Sequence, residues 1–442
     1  MSEVQVRNPR TGAVDFSFTA ADEPAVAGVC EALRAAQPGW HGLGLERRIT
    51  ILTDFIAAVA QDEVLYEALS TDTGRMAIAR VETSSVPPML ARQAEDARRV
   101  IVAGEERATA FPHIGARSQL VPMGVVGVIS PWNFPLLLSM IDSLPALLAG
   151  CAVALKPSEV TPRYAGPLMD IAARFGELAA VFKTVLGPGE TGAALIRHVD
   201  AVAFTGSVRT GRRVAEAAAA RFIPAFLEMG GKDPAVVLKN ANVEQAAKAI
   251  LRASVAATGQ ACQSLERVYV DESIHDELVA ALKAEAARVE INYPRISAGH
   301  IGPFIFGHQA EIVRAHLDDA LAKGARIECG GEIIDHGGKW LKPTVLTGVD
   351  HTMQVMIEET FGPVIPVMKF KTLEEGIALA NDTRYGLSGS VFAGDLDEAL
   401  AVAEQLDGGA ISVNDGSLTA MVHEAENDCF KLSGLGRSRM GP

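Results

Sequence analysis

VVGVISPWNFPLLLSMIDSLPALLAGCAVALKP, residues 125–157, is the stretch whose reading decides the fold. VVGVIS (125–130) is a continuous apolar run with the length of a strand. PWNFP makes a proline-bearing turn, a helix follows around Leu136–Leu148, and CAVALKP (151–157) is a second apolar run. Apolar strands without polar alternation, joined by helices, are parallel strands buried on both faces. Between Gly124 and Leu155 the only charge is Asp142, so the stretch could be mistaken for a membrane span. Pro131, Pro135 and Pro145 interrupt it, and Asn133 and Asp142 would sit unsatisfied in lipid, so a buried strand–helix–strand unit explains it better.

Working outward, the alternation continues. A helix over about Tyr164–Phe175 precedes the strand FKTVLG (182–187). A helix near Gly192–Arg197, the strand AVAFTGS (201–207) and a helix over Gly211–Ala220 follow. After Gly230-Gly231 a second series begins: strand PAVVL, helix 243–256, strand RVYV, helix 274–289, helix 307–322, strand PVIPVMKF, helix 373–380 and strand SGSVF. Arg99–Leu120 lacks a helical pattern and reads as an insertion before the first strong strand. The expected class is α/β, with two doubly wound domains plus a small extra piece, a scaffold suited to nucleotides.

Composition sets the limits. The 442 residues suggest two or three domains. With 48% apolar and 21% charged residues, a disordered or fibrous chain is excluded. Forty basic against 54 acidic residues give a net charge of −14, and no Lys/Arg cluster stands out. Nucleic acid and anionic membranes are therefore poor partners. Cys30, Cys151, Cys262, Cys329 and Cys429 are scattered and never in a C-x-x-C pair. That argues against a disulfide framework and a zinc site, so no metal is expected, and it fits a reducing, cytoplasmic setting. The first twenty residues lack a basic region followed by an apolar run and do not read as a signal peptide.

Four segments carry candidate chemistry. Cys262 in ATGQACQSLERV follows a glycine among small and polar residues. It is either a reactive thiolate or a small buried hydrophobe. Glu228 in LEMGGKDPAVV ends an apolar strand before two glycines, which permit close approach, so it is either a general base or a strand-end surface carboxylate. Asn133 in SPWNFPL could donate its amide to an oxyanion or simply fill a turn. FTGSVRTGRRV, with Gly206, Ser207 and Gly211, is a strand–turn–helix element suited to a pyrophosphate, although it is not G-x-G-x-x-G. KPSEVTP (156–162) adds a cation, a hydroxyl and a carboxylate after a strand: Lys156, Ser158 and Glu159.

Together VVGVISPWNFPL, LKPSEVTP, FTGSVRTG, LEMGGKDP, GQAC and EETFGPV resemble the aldehyde dehydrogenase superfamily, in its order and near its spacing. The gaps of 34 residues from Glu228 to Cys262 and 97 from Cys262 to Glu359 fit as well. The resemblance runs from about residue 7 onward. It implies that Cys262 attacks an aldehyde, that Asn133 holds the oxyanion and that Glu228 activates water against the thioester. It also implies a cofactor site for NAD, with NADP the alternative. Lys156, Ser158 and Glu159 would lie at the adenosine ribose and Gly206 and Ser207 at the pyrophosphate. Trp132 would line the cleft, with Glu359 at the nicotinamide ribose and Phe361 at the ring. A carboxylate at Glu159 disfavours a 2′-phosphate and so favours NAD.

On this resemblance the expected domains are 1–98 and 121–228 for NAD binding and 229–415 for catalysis, with 99–120 and 416–442 bridging subunits. Three departures from the family stand out. Ser438 replaces a frequent Glu, the loop through His423, Glu424, Glu426, Asn427, Asp428 and Cys429 is polar, and the chain stops at Pro442 where relatives usually continue. The expected assembly is a homodimer, with a homotetramer as the alternative. Leu138, Ile141 and Gln263 flank the expected tunnel, which suggests an aromatic or medium-chain aliphatic aldehyde. Two other functions stay open: a coenzyme A-acylating semialdehyde dehydrogenase, which would not need Glu228, and a non-catalytic descendant of the fold.

Overall fold

The computed structural model describes residues 2–102, 104, 106–418, 422 and 428–435. His423, Glu424, Glu426, Asn427 and Ser438 lie outside the described residues.

The chain opens with an antiparallel hairpin, β1 (Glu3–Arg7) and β2 (Val14–Thr19). Four helices follow: α1 (Glu23–Gly42), α2 (Leu45–Gln61), α3 (Glu63–Thr73) and α4 (Met76–Val100). Asp22 starts α1 by accepting from the Ala25 N–H, a side-chain N-cap. Helix α4 carries Pro87 and Pro88 in its interior and still runs on, with Val86, Met89 and Leu90 buried in the core. Its last residues, Arg99 and Val100, are helical, where the sequence pattern puts the start of the insertion. The insertion itself is a short hairpin, β3 (Arg107–Ala108) with β4 (Gly115–Ala116), whose residues are exposed.

The first sheet is built from β5 (Val125–Ile129), α5 (Pro135–Leu148), β6 (Ala152–Lys156), α6 (Ala165–Ala172), α7 (Gly176–Val181), β7 (Phe182–Thr184), α8 (Gly189–His198), β8 (Ala201–Gly206), α9 (Val208–Arg221) and β9 (Ala225–Met229). All residues of β5 and β6 are buried, as the uninterrupted apolar runs require. Two elements differ from expectation. The strand at 182–187 is only three residues long, and α9 begins at Val208 because the Ser207 hydroxyl caps it by accepting from the Thr210 N–H.

The second sheet uses β10 (Asp233–Val237), α10 (Val243–Val255), β11 (Leu265–Asp271), α11 (His275–Ala286), α12 (Gly307–Ala322), β12 (Arg326–Cys329), β13 (Ile333–Asp335), β14 (Lys339–Leu341), β15 (Thr344–Thr347), α13 (Gln354–Ile357), β16 (Val364–Phe370), α14 (Leu373–Asn381), β17 (Ser388–Phe392), α15 (Leu396–Ala403) and β18 (Ala410–Val413). Of these, β13 and β14 form a separate hairpin. A last strand, β19 (Gly434–Leu435), returns to pair antiparallel with β9.

Strand order is β19-β9-β8-β5-β6-β7 in the first sheet and β12-β15-β16-β11-β10-β17-β18 in the second. Pairing is parallel throughout except at β19 and β12. These are the two parallel-sheet domains expected from the sequence. In the first sheet the chain runs from β5 to β6 and β7 on one side, then returns to place β8 on the other side of β5. That reversal opens a crevice beyond the carboxyl ends of β5 and β8, the usual ligand position in such sheets. Among the described residues no helix is long and apolar enough to cross a membrane.

Candidate active site

The loop after β5 carries Trp132 and Asn133 into that crevice. Asn133 is buried, and its Nδ2 donates to the Gln260 carbonyl at 3.0 Å, two residues before Cys262. The approach to Cys262 is an unusual turn. Ala257, Thr258 and Gly259 take φ values of 55°, 64° and 66° in succession. A β-branched residue in that region is strained and needs surrounding contacts to hold it. Thr258 Oγ1 donates to the Gly302 carbonyl at 3.0 Å, and Gln260 Nε2 donates to the Pro303 carbonyl at 3.2 Å. Gln260 Oε1 accepts from the Ile305 N–H at 2.9 Å. Cys262 itself is partly exposed.

Glu228 lies in β9 and is buried. The glycines after it are required by what they face. A side chain on Gly231 would reach to 2.6 Å from the Cys262 carbonyl, and one on Gly230 would strike the Glu359 carboxylate. Glu359 Oε1 accepts from the Gly231 N–H at 3.2 Å. Burial first, and then the Glu266 charge, push the Glu359 carboxyl up to about 8. Phe361, at φ 52°, sets its ring edge-on to Trp132 with centroids 5.4 Å apart. Thus Asn133, the Cys262 turn, Gly230-Gly231, Glu359, Phe361 and Trp132 share one site at the meeting of the two sheets.

The remaining expected residues lie along the strand ends of the first sheet. Lys156 ends β6, and its Nζ donates to Glu159 Oε2 at 3.2 Å. Burial holds the ammonium below its ordinary value, opposed by Glu159. Ser158 Oγ accepts from the Val160 N–H, so its hydroxyl serves the local turn. Gly206 ends β8 where a side chain would reach to 2.6 Å from the Phe204 ring, and Ser207 caps α9. Leu138, Ile141 and Gln263 are buried.

Several supporting charges escaped the sequence reading. Glu266 in β11 is buried and accepts from Lys232 Nζ at 2.7 Å, the Thr360 N–H at 2.8 Å and the Phe361 N–H at 2.7 Å. It therefore fixes the turn that presents Glu359 and Phe361. A charged residue inside the apolar strand LERVYVD was the available signal, since a buried charge needs partners. Arg75 and Glu82, from the N-terminal helices, are also buried beside the Asn133 loop. Burial brings the Arg75 guanidinium down to about 10 and pushes the Glu82 carboxyl up to about 7.

A parallel α/β sheet with a cysteine turn, a carboxamide and carboxylates at its strand ends is the framework of a nucleotide-dependent oxidoreductase. The chain belongs to the aldehyde dehydrogenase family, whose model matches residues 1–441. A structure provisionally named as an aldehyde dehydrogenase from Anabaena variabilis is 52% identical, with a TM-score of 0.97 over 100% of this chain and 94% of that one. Lactaldehyde dehydrogenase from Escherichia coli is 32% identical, with a TM-score of 0.94 over 99% of this chain and 92% of that one. A Mycolicibacterium smegmatis protein provisionally named as an NADP-dependent succinate-semialdehyde dehydrogenase is 37% identical over 91% of this chain and 79% of its own length. The resemblance read from the six motifs is borne out: the protein is an enzyme of the aldehyde dehydrogenase family.

Proposed function

We propose that the protein oxidises an aldehyde to the free carboxylic acid through a thioester on Cys262. The observation that carries this reading is the Asn133 amide bonded to the backbone just ahead of Cys262, where Gly230-Gly231 also touches Cys262 and Glu359.

In this reading the Cys262 thiolate attacks the aldehyde carbonyl, and a C–S bond forms. The negative charge that develops on oxygen is held by the Asn133 amide with the Cys262 N–H, donors that act most strongly away from water. The nicotinamide, when bound, supplies the hydride acceptor that turns the thiohemiacetal into a thioester. Glu228 then takes a proton from water, the oxygen attacks the thioester carbon, and the C–S bond breaks to release carboxylate and thiolate.

The residues present fit the dinucleotide. The crevice beyond β5 and β8 offers the α9 N-terminus with Ser207 and Gly206 for phosphate oxygens. Lys156 with Glu159, and Ser158 beside them, stand at the end of β6 for a ribose, and the Glu159 carboxylate favours NAD over NADP. Glu359 and Phe361, with Trp132 opposite, would flank the nicotinamide end. Residues 1–98 and 121–228 form the cofactor half in this reading and 229–415 the catalytic half. The 99–120 segment, whose β3–β4 hairpin leaves Phe111 and Ile114 exposed, serves as the contact of a homodimer. A reducing, cytoplasmic setting suits a catalytic thiolate.

The test is NADH formation with an aldehyde panel that includes succinate semialdehyde, lactaldehyde, and medium-chain and aromatic aldehydes, without added coenzyme A. Carboxylate should accumulate in step with NADH, and Cys262→Ala should abolish both while NAD still binds. Dependence on coenzyme A, or turnover of Cys262→Ala within tenfold of the parent, would overturn the reading.

A further inference from the structure

We propose that Arg75 is a positioning residue for the oxyanion site, and that with Glu82 it splints the Asn133 loop against the turn that leads to Cys262. The inference rests on the roles proposed above for Asn133 and Cys262.

Arg75 lies at the junction of α3 and α4, far from either sheet in sequence. Its Nη1 donates to the Ala257 carbonyl at 2.8 Å, and its Nη2 donates to the Asn133 carbonyl. One planar guanidinium therefore spans two loops, one leaving β5 and the other approaching β11. Ala257 is the first left-handed residue of the strained turn, so this contact holds the turn at the point where it would relax. Arg75 is itself fixed from behind. Asn292 Nδ2 donates to the Gly74 carbonyl at 2.7 Å, and a side chain on Gly302 would come within 2.5 Å of Arg75 Cγ.

Glu82, two turns along α4, holds the other end of the Asn133 loop. Its Oε2 accepts from the Leu136 and Leu137 N–H groups at 2.9 and 3.0 Å, at the start of α5. A buried cation takes the carbonyl at residue 133, and a buried anion takes the amides at 136 and 137. Buried charges are costly unless hydrogen-bonded, and these two direct those bonds to the backbone that aims the Asn133 amide. Lysine, with a single ammonium on its stem, cannot reproduce the rigid fork across two carbonyls.

The test is a double-mutant cycle in the full-length enzyme, read as the pre-steady-state NADH burst rate at saturating NAD, with NAD affinity and apparent Tm followed alongside. Asn133→Ala should slow the burst about 100- to 1,000-fold, the range for loss of one oxyanion donor. Arg75→Lys should slow it about 10- to 100-fold through misplacement alone, with the aldehyde KM and NAD affinity within about threefold of the parent. Because Arg75 acts through Asn133, adding Arg75→Lys to Asn133→Ala should cost less than about threefold more. Glu82→Gln keeps an acceptor oxygen but loses the charge that strengthens both bonds, and should slow the burst about three- to tenfold. It also provides a decisive reading if Arg75→Lys does not fold. An Asn133→Ala burst within threefold of the parent would overturn the proposal together with the role of Asn133. A slow Asn133→Ala beside parental rates for Arg75→Lys and Glu82→Gln would overturn the splint alone, as would a full Arg75→Lys loss persisting in the Asn133→Ala background.

Discussion

Replacing Gly259 by alanine probes a close backbone-to-backbone contact in the candidate site. Gly259 is the third left-handed residue before Cys262, at φ 66°. A Cβ there would lie 2.7 Å from the Pro363 nitrogen and nearer still to the Gly362 carbonyl group, both in the segment just after Glu359 and Phe361. The left-handed backbone alone costs alanine about 1–2 kcal/mol. Relieving the clash needs the two loops to part by about 1 Å, with total destabilisation of about 2–4 kcal/mol, typical of an overpacked core. A chain of this length unfolds with an entropy near 0.9 kcal/mol/K, at about 2.1 cal/mol/K per residue, so the apparent Tm should fall by only about 2–4 °C. Activity should suffer far more, because a 1 Å misplacement of reacting groups costs about 100-fold in rate. Differential scanning fluorimetry and steady-state NADH formation at 340 nm read the two effects separately. Gly28→Ala, in open space on α1, is the control and should be stabilising by about 0.5–1 kcal/mol with unchanged kcat. A Gly259→Ala enzyme with kcat within threefold of the parent and an unchanged Tm would refute the backbone-to-backbone packing of the two loops.

Glu228→Gln should preserve a burst of NADH while steady turnover falls at least about 100-fold, since only thioester hydrolysis loses its base; stopped-flow absorbance showing burst and steady state falling together would count against that assignment. Glu159→Ser should shift the ratio of kcat/KM for NAD over NADP toward NADP by about tenfold or more, and an unchanged ratio would mean that the carboxylate does not face the ribose. Asp233 is buried, and burial raises its carboxyl to about 8, so the folded state holds a proton that the unfolded state releases near pH 4. Its contribution to stability is full below pH 4 and is lost as pH rises through about 8. Asp233→Asn should therefore lose less apparent Tm than the parent between pH 5 and 9, by a few degrees, and parallel Tm–pH curves would contradict the shift.

Much of both sheets was legible because parallel buried strands write themselves as unbroken apolar runs. VVGVI, AVALK and AVAFTG are each such a run. The N-terminal helical layer was less legible. Prolines at 87 and 88 stand inside α4, where they disfavour a helix, and the burial of Val86, Met89 and Leu90 carries the helix through them. Short elements such as β12–β15 depend on neighbours in space more than on their own pattern. Among the proposed site residues, Cys262, Glu228 and Asn133 drew notice for their flanking glycines and prolines, but only the order of the six motifs gave them expected roles. Arg75, Glu82 and Glu266 did not, because their work is done on backbone atoms distant in sequence. Only the cost of burying a charge marks such residues, and burial is not written locally.

The late strand β19 ties completion of the chain to the order of its synthesis. Strand β9, which carries Glu228, has its outer edge covered only when Gly434–Leu435 arrive and pair with Glu228 and Leu227. About 200 residues separate the two, which at about 5–20 residues per second leaves that edge open for about 10–40 s on the ribosome. An open strand edge templates pairing with any passing chain. During that interval the nascent first sheet is a candidate client for chaperones. A polypeptide cut short before Gly434 keeps the vulnerability permanently, with its sticky margin at the very strand that bears the proposed base.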